Sequence, residues 1–179
     1  MSAPLREALI AGVEKVSAWA DLLDRVNVFP VADGDTGRNL VISLSPLRLH
    51  EKDNDRIIQD LLFSARGNSG NIAAHFLSGF IRAASTGELG IRAAEGRDRA
   101  WKAVGNPLRG TMLSVFDELV EALNGENVLD AVSVPRIMKR LENSVKSTTE
   151  LIPKLKSAGV VDSGALGMFI FFDGFFHAL

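Results

Sequence analysis

The chain of 179 residues is 46% hydrophobic and 23% charged, carries a net charge of −2, and has 16 glycines but neither cysteine nor tyrosine. Without cysteine there is no disulfide framework, thiolate zinc site, iron–sulfur cluster or cysteine nucleophile, and the three histidines, His50, His75 and His177, are too scattered for a zincin helix. Lys and Arg number 20 against 22 Asp and Glu, and aromatics make up 7%, which leaves no polybasic stripe or stacking platform and sets nucleic acid aside as a partner.

The length predicts one domain over residues 1–179. Leu5, Leu9, Val13, Val16, Trp19 and Leu23 recur at helical spacing, with Ser2 as the N-cap and Pro4 in the first turn. Asn27 to Ala32, with its β-branched residues and Pro30, reads as extended and is followed by the turn Asp33-Gly34-Asp35-Thr36-Gly37. Helical spacing resumes at Asn39 and stops at Pro46; Asp53 caps the next helix, which runs into Arg66-Gly67-Asn68-Ser69-Gly70. An apolar stripe follows from Ile72 to Ile81, then a weaker helix over 91–104, a break at Gly105-Asn106-Pro107, and a helix from Met112 that stops at Asn124-Gly125. Pro135 opens a helix carrying Ile137, Leu141, Val145 and Ile152, which Gly159 closes, and a Phe-rich segment from Asp162 to Leu179 is apolar all round. About eight helices, no strand pattern and no repeat give an all-α class. The most apolar run, 164–172, is too short for a membrane span, and charges at Arg6, Glu7, Glu14 and Lys15 break any signal-peptide core, so a cytoplasmic protein is expected.

Four loops carry candidate chemistry. Asp33-Gly34-Asp35 sets two carboxylates around a glycine, which lets both converge on one cation; magnesium is commonly held this way, with water and phosphate completing its octahedron. The same residues also read as a turn in which Asp35 or Thr36 caps the next helix. An EF-hand is rejected, since Arg38 and Leu44 stand where glycine and glutamate are required. Gly67-Asn68-Ser69-Gly70 offers backbone N–H groups and a hydroxyl to an anion, or serves close packing. The segment 105–111 mimics P-loop spacing but has Thr111 in place of lysine and no preceding strand. Asp162-Ser163-Gly164 precedes a helix and also reads as an N-cap. Taken together, carboxylates for a metal and N–H groups for phosphates suit a Mg²⁺–triphosphate, and many of the glycines fall in these loops.

The segments Asn27-Val28-Phe29-Pro30-Val31-Ala32-Asp33-Gly34-Asp35-Thr36-Gly37, Ala65-Arg66-Gly67-Asn68-Ser69-Gly70, Trp101-Lys102-Ala103-Val104 with Gly110-Thr111-Met112-Leu113, and Gly159-Val160-Val161-Asp162-Ser163-Gly164 resemble, in order and spacing, the nucleotide-binding (DhaL-like) domain of the dihydroxyacetone kinase family. Within it they are most similar to the N-terminal ATP-binding domain of bacterial fatty acid kinases. The resemblance implies an eight-helix antiparallel barrel that binds ATP or ADP with one or two Mg²⁺ ions in the loops at one end. It implies Asp33 and Asp35 as catalytic metal ligands, with Asn27 where related subunits have a further aspartate. Thr36 and Asn39 would contact phosphate or metal, Asn68 and Ser69 would hold phosphate oxygens, Thr111 and Met112 would lie near the base, and Asp162, Ser163 and Gly164 would close the rim. Two departures stand out: Gly164-Ala165-Leu166-Gly167 replaces Gly-Gly-Lys-Gly, and the family's long enzymes carry further domains.

The expected activity is phosphoryl transfer from ATP to a fatty acyl carboxylate, presented by a separate DegV-like fatty-acid-binding protein or by additional domains of the same enzyme; a homodimer is compatible with this. The alternatives are a dihydroxyacetone kinase subunit and a non-catalytic nucleotide- or lipid-binding module. The Phe-rich last segment reads as core, or as a bare partner surface.

Overall fold

The computed structural model describes residues 2–49, 53–124, 126 and 129–179. They form ten α-helices: α1 (Ala3–Ala18), α2 (Ala20–Arg25), α3 (Thr36–Leu44), α4 (Asn54–Ser64), α5 (Gly67–Phe80), α6 (Leu89–Lys102), α7 (Met112–Leu123), α8 (Ser133–Leu151), α9 (Pro153–Ala158) and α10 (Ser163–His177). Short 3-10 turns lie at Ser45–Arg48 and Thr86–Glu88, and no strand occurs among the described residues. The all-α class expected from the sequence is what the chain adopts. His50 and Gly125 lie outside the described residues.

The count exceeds eight because two predicted helices each break in two. The first divides at Trp19, where ψ moves to 8°, with neither proline nor glycine to announce it. The other ends at Ile152, which is held extended (φ −115°, ψ 111°) because Pro153 follows it; Pro153 then starts α9, and Gly159 at φ +67° closes α9, not α8. Ser2 occupies the N-cap position of α1 without a capping side-chain bond, whereas Asp53 does cap α4, accepting from the Arg56 N–H at 2.7 Å.

Packing runs α1–α3–α5–α6–α7–α8–α10 and back to α1, a closed ring, with α4 bracing α3 and α5 from outside. α10 also touches α2, α3 and α7, which explains its all-round apolar character: Phe171, Phe172, Phe175 and Phe176 are buried. The Phe-rich segment is therefore core, and the bare-surface reading is corrected. Phe172 is the hub, edge-on to Phe76 at 5.8 Å, Phe80 at 5.9 Å and Phe116 at 6.5 Å, while Phe76 stacks on Phe116 at 4.0 Å.

Glycines set how closely the ring can draw in. A Cβ on Gly79 would lie 2.5 Å from the Gly96 nitrogen, and one on Gly96 would lie 2.3 Å from the Phe76 carbonyl oxygen, so α5 and α6 cross backbone to backbone. The helix crossings thus use glycine as well as the loops do. No helix of the described residues is long and apolar enough to cross a membrane.

Truncating the hub, Phe172→Ala, is expected to cost about 3–5 kcal/mol of unfolding free energy. Phe63→Ala, on a side chain 89% exposed, should stay within about 0.5 kcal/mol of wild type in the same urea titration.

Candidate functional site

Four helix N-termini, those of α3, α5, α7 and α10, meet at one end of the ring. The Ser163 hydroxyl donates to Thr36 Oγ1 at 3.1 Å, tying α10 to α3, and both residues are buried. A Cβ on Gly164 would sit 3.0 Å from Met112 Cε and 3.3 Å from Ser69 Oγ, so α7 and α5 close on the same point. Gly67, at φ +59°, brings α5 against α3: a side chain there would meet Asn39 Nδ2 at 2.5 Å.

The N-terminus of α3 is capped from an unexpected quarter. Asp24, on α2, accepts from the N–H groups of Gly37 at 2.7 Å and Arg38 at 3.3 Å. The reading in which Asp35 or Thr36 caps this helix is thereby corrected: Asp35 holds the N-cap position without a side-chain bond, and the Thr36 hydroxyl goes to Ser163. The break at Trp19 turns α2 so that Asp24 reaches α3, and Gly37 lets the two touch, since a Cβ there would lie 2.1 Å from the Ala20 carbonyl oxygen.

Two adjoining clefts open at this end and share the walls Phe29, Pro30, Asn68 and Ser69. The first, about 210 Å³, is polar and contains Asn27, Asp33, Asp35, Thr36 and Asn39. Neither the Asp33 nor the Asp35 carboxylate has a hydrogen-bonding or ion-pair partner among the described residues, Asp33 being exposed and Asp35 half-buried. Asn27 is buried and organises the loop: its Oδ1 accepts from the Asp35 N–H at 3.3 Å and its Nδ2 donates to the carbonyls of Phe29 and Val31. No cluster of three or more His, Asp or Glu able to hold a metal occurs among the described residues. Two unengaged carboxylates suit a hard cation that brings water or phosphate as its other ligands, as Mg²⁺ does, and they do not make a closed zinc site.

The second cleft, about 370 Å³, is mainly apolar, walled by Ile72, Val104, Leu108, Thr111, Met112 and Leu113 with Asp162 and Gly164 at its base. The segment 105–111, excluded as a P-loop, supplies one wall, and the Thr111 hydroxyl donates to the Leu108 carbonyl at 2.8 Å. Asp162 caps α10 through the Ala165 N–H at 2.8 Å and faces the Met112 N–H, so a single carboxylate serves the N-termini of α10 and α7. Burial pushes its pKa up to about 6 against the pull of those N–H donors. Ser163 stands behind the clefts and lines neither.

Sequence reasoning missed Asp24, the apolar walls Ile72 and Leu113, and Thr148, whose buried hydroxyl accepts from the Asp162 N–H at 2.9 Å. Asp24 and Thr148 carry no local signal, because each acts on a residue distant in the chain. A wider groove of about 890 Å³ between α6, α7 and α8 contains none of the motif glycines or candidate ligands, and its charges largely neutralise one another, Arg140 with Glu118 and Arg97 with Asp98.

Residues 30–177, which include both clefts except Asn27 and Phe29, match the family model of the DAK2 domain. The chain belongs to the DAK2 domain family. Over 97% of its length it is 35% identical to an uncharacterized protein of Staphylococcus saprophyticus and 34% identical to protein YloV of Bacillus subtilis, covering 35% and 34% of those proteins. An uncharacterized protein of Staphylococcus aureus strain USA300 is 34% identical over 97% of the chain and is covered to 35%. The chain thus spans about a third of the length of the curated relatives it matches. DAK2 domains form a kinase-associated, DhaL-like family of nucleotide-binding modules.

The Asp162 shift has a definite sign in this DAK2 domain. The folded state holds the proton up to about pH 6 whereas the ordinary value is 3.8, so folding takes up a proton between these values and this group's contribution to stability falls as pH rises through that window. Relative to Asp162→Asn, wild type should lose up to about 3 kcal/mol of unfolding free energy between roughly pH 4 and 6.5, and then run parallel to the variant. Parallel curves throughout would refute the shift.

Proposed function

We propose that this DAK2 domain binds Mg²⁺–ATP and supplies its terminal phosphoryl group to a fatty acyl carboxylate presented by a separate DegV-like protein or by further domains. The observation that carries the nucleotide assignment is the pairing of the clefts: a polar one with two unengaged carboxylates adjoins an apolar one across a wall bearing Asn68 and Ser69. Phosphates and base are joined in one ligand in the same way.

Asp33 and Asp35 would hold the metal, with Asn27 keeping their loop in shape, while Asn68, Ser69 and the first turn of α5 offer N–H and hydroxyl groups to phosphate oxygens. Mg²⁺, when bound, would neutralise charge on the transferring phosphoryl group. Thr36 and Asn39 line the same wall, Thr36 with its hydroxyl fixed by Ser163. Thr111 and Met112 would flank the base, and Asp162 keeps a negative charge at the floor of the apolar cleft, which directs phosphates to the polar one. The protein's part is positioning and electrostatics, with no covalent nucleophile.

The acceptor is assigned from the motif resemblance to fatty acid kinases. The apolar cleft is taken by the base, so the acyl carboxylate must come from outside this domain. One observation favours a non-catalytic nucleotide-binding module instead: neither cleft is lined by lysine or arginine.

Calorimetry should show ATP binding that requires Mg²⁺ and weakens tenfold or more in Asp33→Asn and in Asp35→Asn; affinity indifferent to the metal and to both substitutions would refute the site. Incubation with ATP, oleate and a DegV-like protein should then yield acyl phosphate. Triose phosphate formed from dihydroxyacetone with its partner subunit, in place of acyl phosphate, would transfer the assignment to the dihydroxyacetone kinases; neither product would leave the binding module.

A further inference from the structure

A nucleoside triphosphate brings several negative charges to a site that already holds Asp33, Asp35 and Asp162 and is lined by no cation. The helix N-termini offset part of this, at roughly half a charge each, but Asp24 already occupies that of α3 and Asp162 those of α7 and α10. Charge must therefore come from just beyond the lining. The Lys154 ammonium donates to the Pro30 carbonyl at 3.0 Å, across 124 residues of chain, and Pro30 belongs to the wall common to both clefts.

Lys154 is held there by α9. Pro153 starts that helix, Ile152 and Leu155 on either side are buried, and Leu151 abuts Gly110 so closely that a Cβ there would lie 2.7 Å from Leu151 Cβ. The end of α8 thus braces the 105–111 wall while Lys154 reaches Pro30. Its charge is also unspent. Two residues on, Lys156 pairs with Glu150 at 2.6 Å, whereas Lys154 has no carboxylate partner among the described residues and satisfies one of three donors on a neutral carbonyl. A flexible four-carbon stem lets such an ammonium turn from the carbonyl to an anion arriving beside it.

We infer that Lys154 supplies the positive charge that recognises the nucleotide's phosphates, reaching over the Pro30 wall into the polar cleft. The inference rests on the nucleotide reading and deepens it, making Lys154 the residue that discriminates nucleotides by their phosphates. A residue that merely pinned Pro30 would affect every ligand of the clefts alike.

The test titrates adenosine, ADP and ATP, with Mg²⁺, into wild type, Lys154→Met, Lys154→Arg and Lys156→Met. Lys154→Met is expected to weaken ATP about tenfold or more, the worth of one charge-assisted contact, to weaken ADP less, and to leave adenosine within about twofold. Lys154→Arg should restore most of the ATP affinity, and Lys156→Met, which removes the same charge from the same helix, should match wild type. Equal losses for adenosine and ATP, no loss at all, or an equal loss of ATP affinity in Lys156→Met would overturn the inference while leaving the nucleotide reading intact. Wild type that binds neither adenosine nor ATP would overturn that reading first.

Discussion

A fifteen-residue helix that is apolar nearly all round has one stable place, the core of the fold, and the rest of this molecule is arranged around that constraint. α10 packs against α1, α2, α3, α7 and α8. Because Phe172 is gripped by rings from α5 and α7, α10 can neither slide nor rotate without opening the core. Its N-terminus is fixed as a consequence, and with it Asp162 and Ser163, which carry the bonds to α7 and α3. The candidate site is in this sense the polar end of the hydrophobic core: rigidity built from phenylalanine is delivered to it through two hydrogen-bonding side chains.

Close approach is the second requirement, and it explains why glycine serves the body of the ring as well as its loops. Where α5 meets α6 and α1 meets α10, a single methyl group would collide with backbone atoms: a Cβ on Gly174 would lie 2.7 Å from the Ala11 carbonyl oxygen. Backbone collisions cannot be relieved by a rotamer change. The tightness of the ring in turn sets how near the four N-termini lie, and hence whether donors on different helices can face one ligand.

Much of this was legible in the sequence, and the physical reason is locality. Helices with a clear apolar stripe, such as α7 and α8, and caps made within one turn, such as Asp53 and Asp162, are encoded by neighbours in the chain. The motif loops were legible too, and the fold brings Asp33, Asp35, Asn68, Ser69, Thr111, Met112 and Gly164 to one end. What escaped was action at a distance. Asp24 caps a helix that begins 12 residues later, and nothing in Trp19 or Ala20 marks the bend that carries it there. Ile152 followed the apolar period of α8 but obeyed the proline after it, because the steric restriction on the residue before proline is stronger than a helical pattern.

The split between α8 and α9 also decides where Lys154 brings its positive charge. Had α8 continued straight, as the apolar period suggested, residue 154 would have followed its axis; the extended Ile152 redirects the chain so that Lys154 meets Pro30. At the same end, position 166 holds a half-buried leucine packed against the core, so the first turn of α10 contributes no cation there. A site bounded by three aspartates and by helix ends that Asp24 and Asp162 already satisfy would repel a polyphosphate unless a metal and a nearby ammonium opposed that charge. The metal would answer it from the Asp33–Asp35 side and Lys154 from the side of Pro30. A polyphosphate lying between them would be gripped along its length, and a nucleoside without phosphates would meet neither.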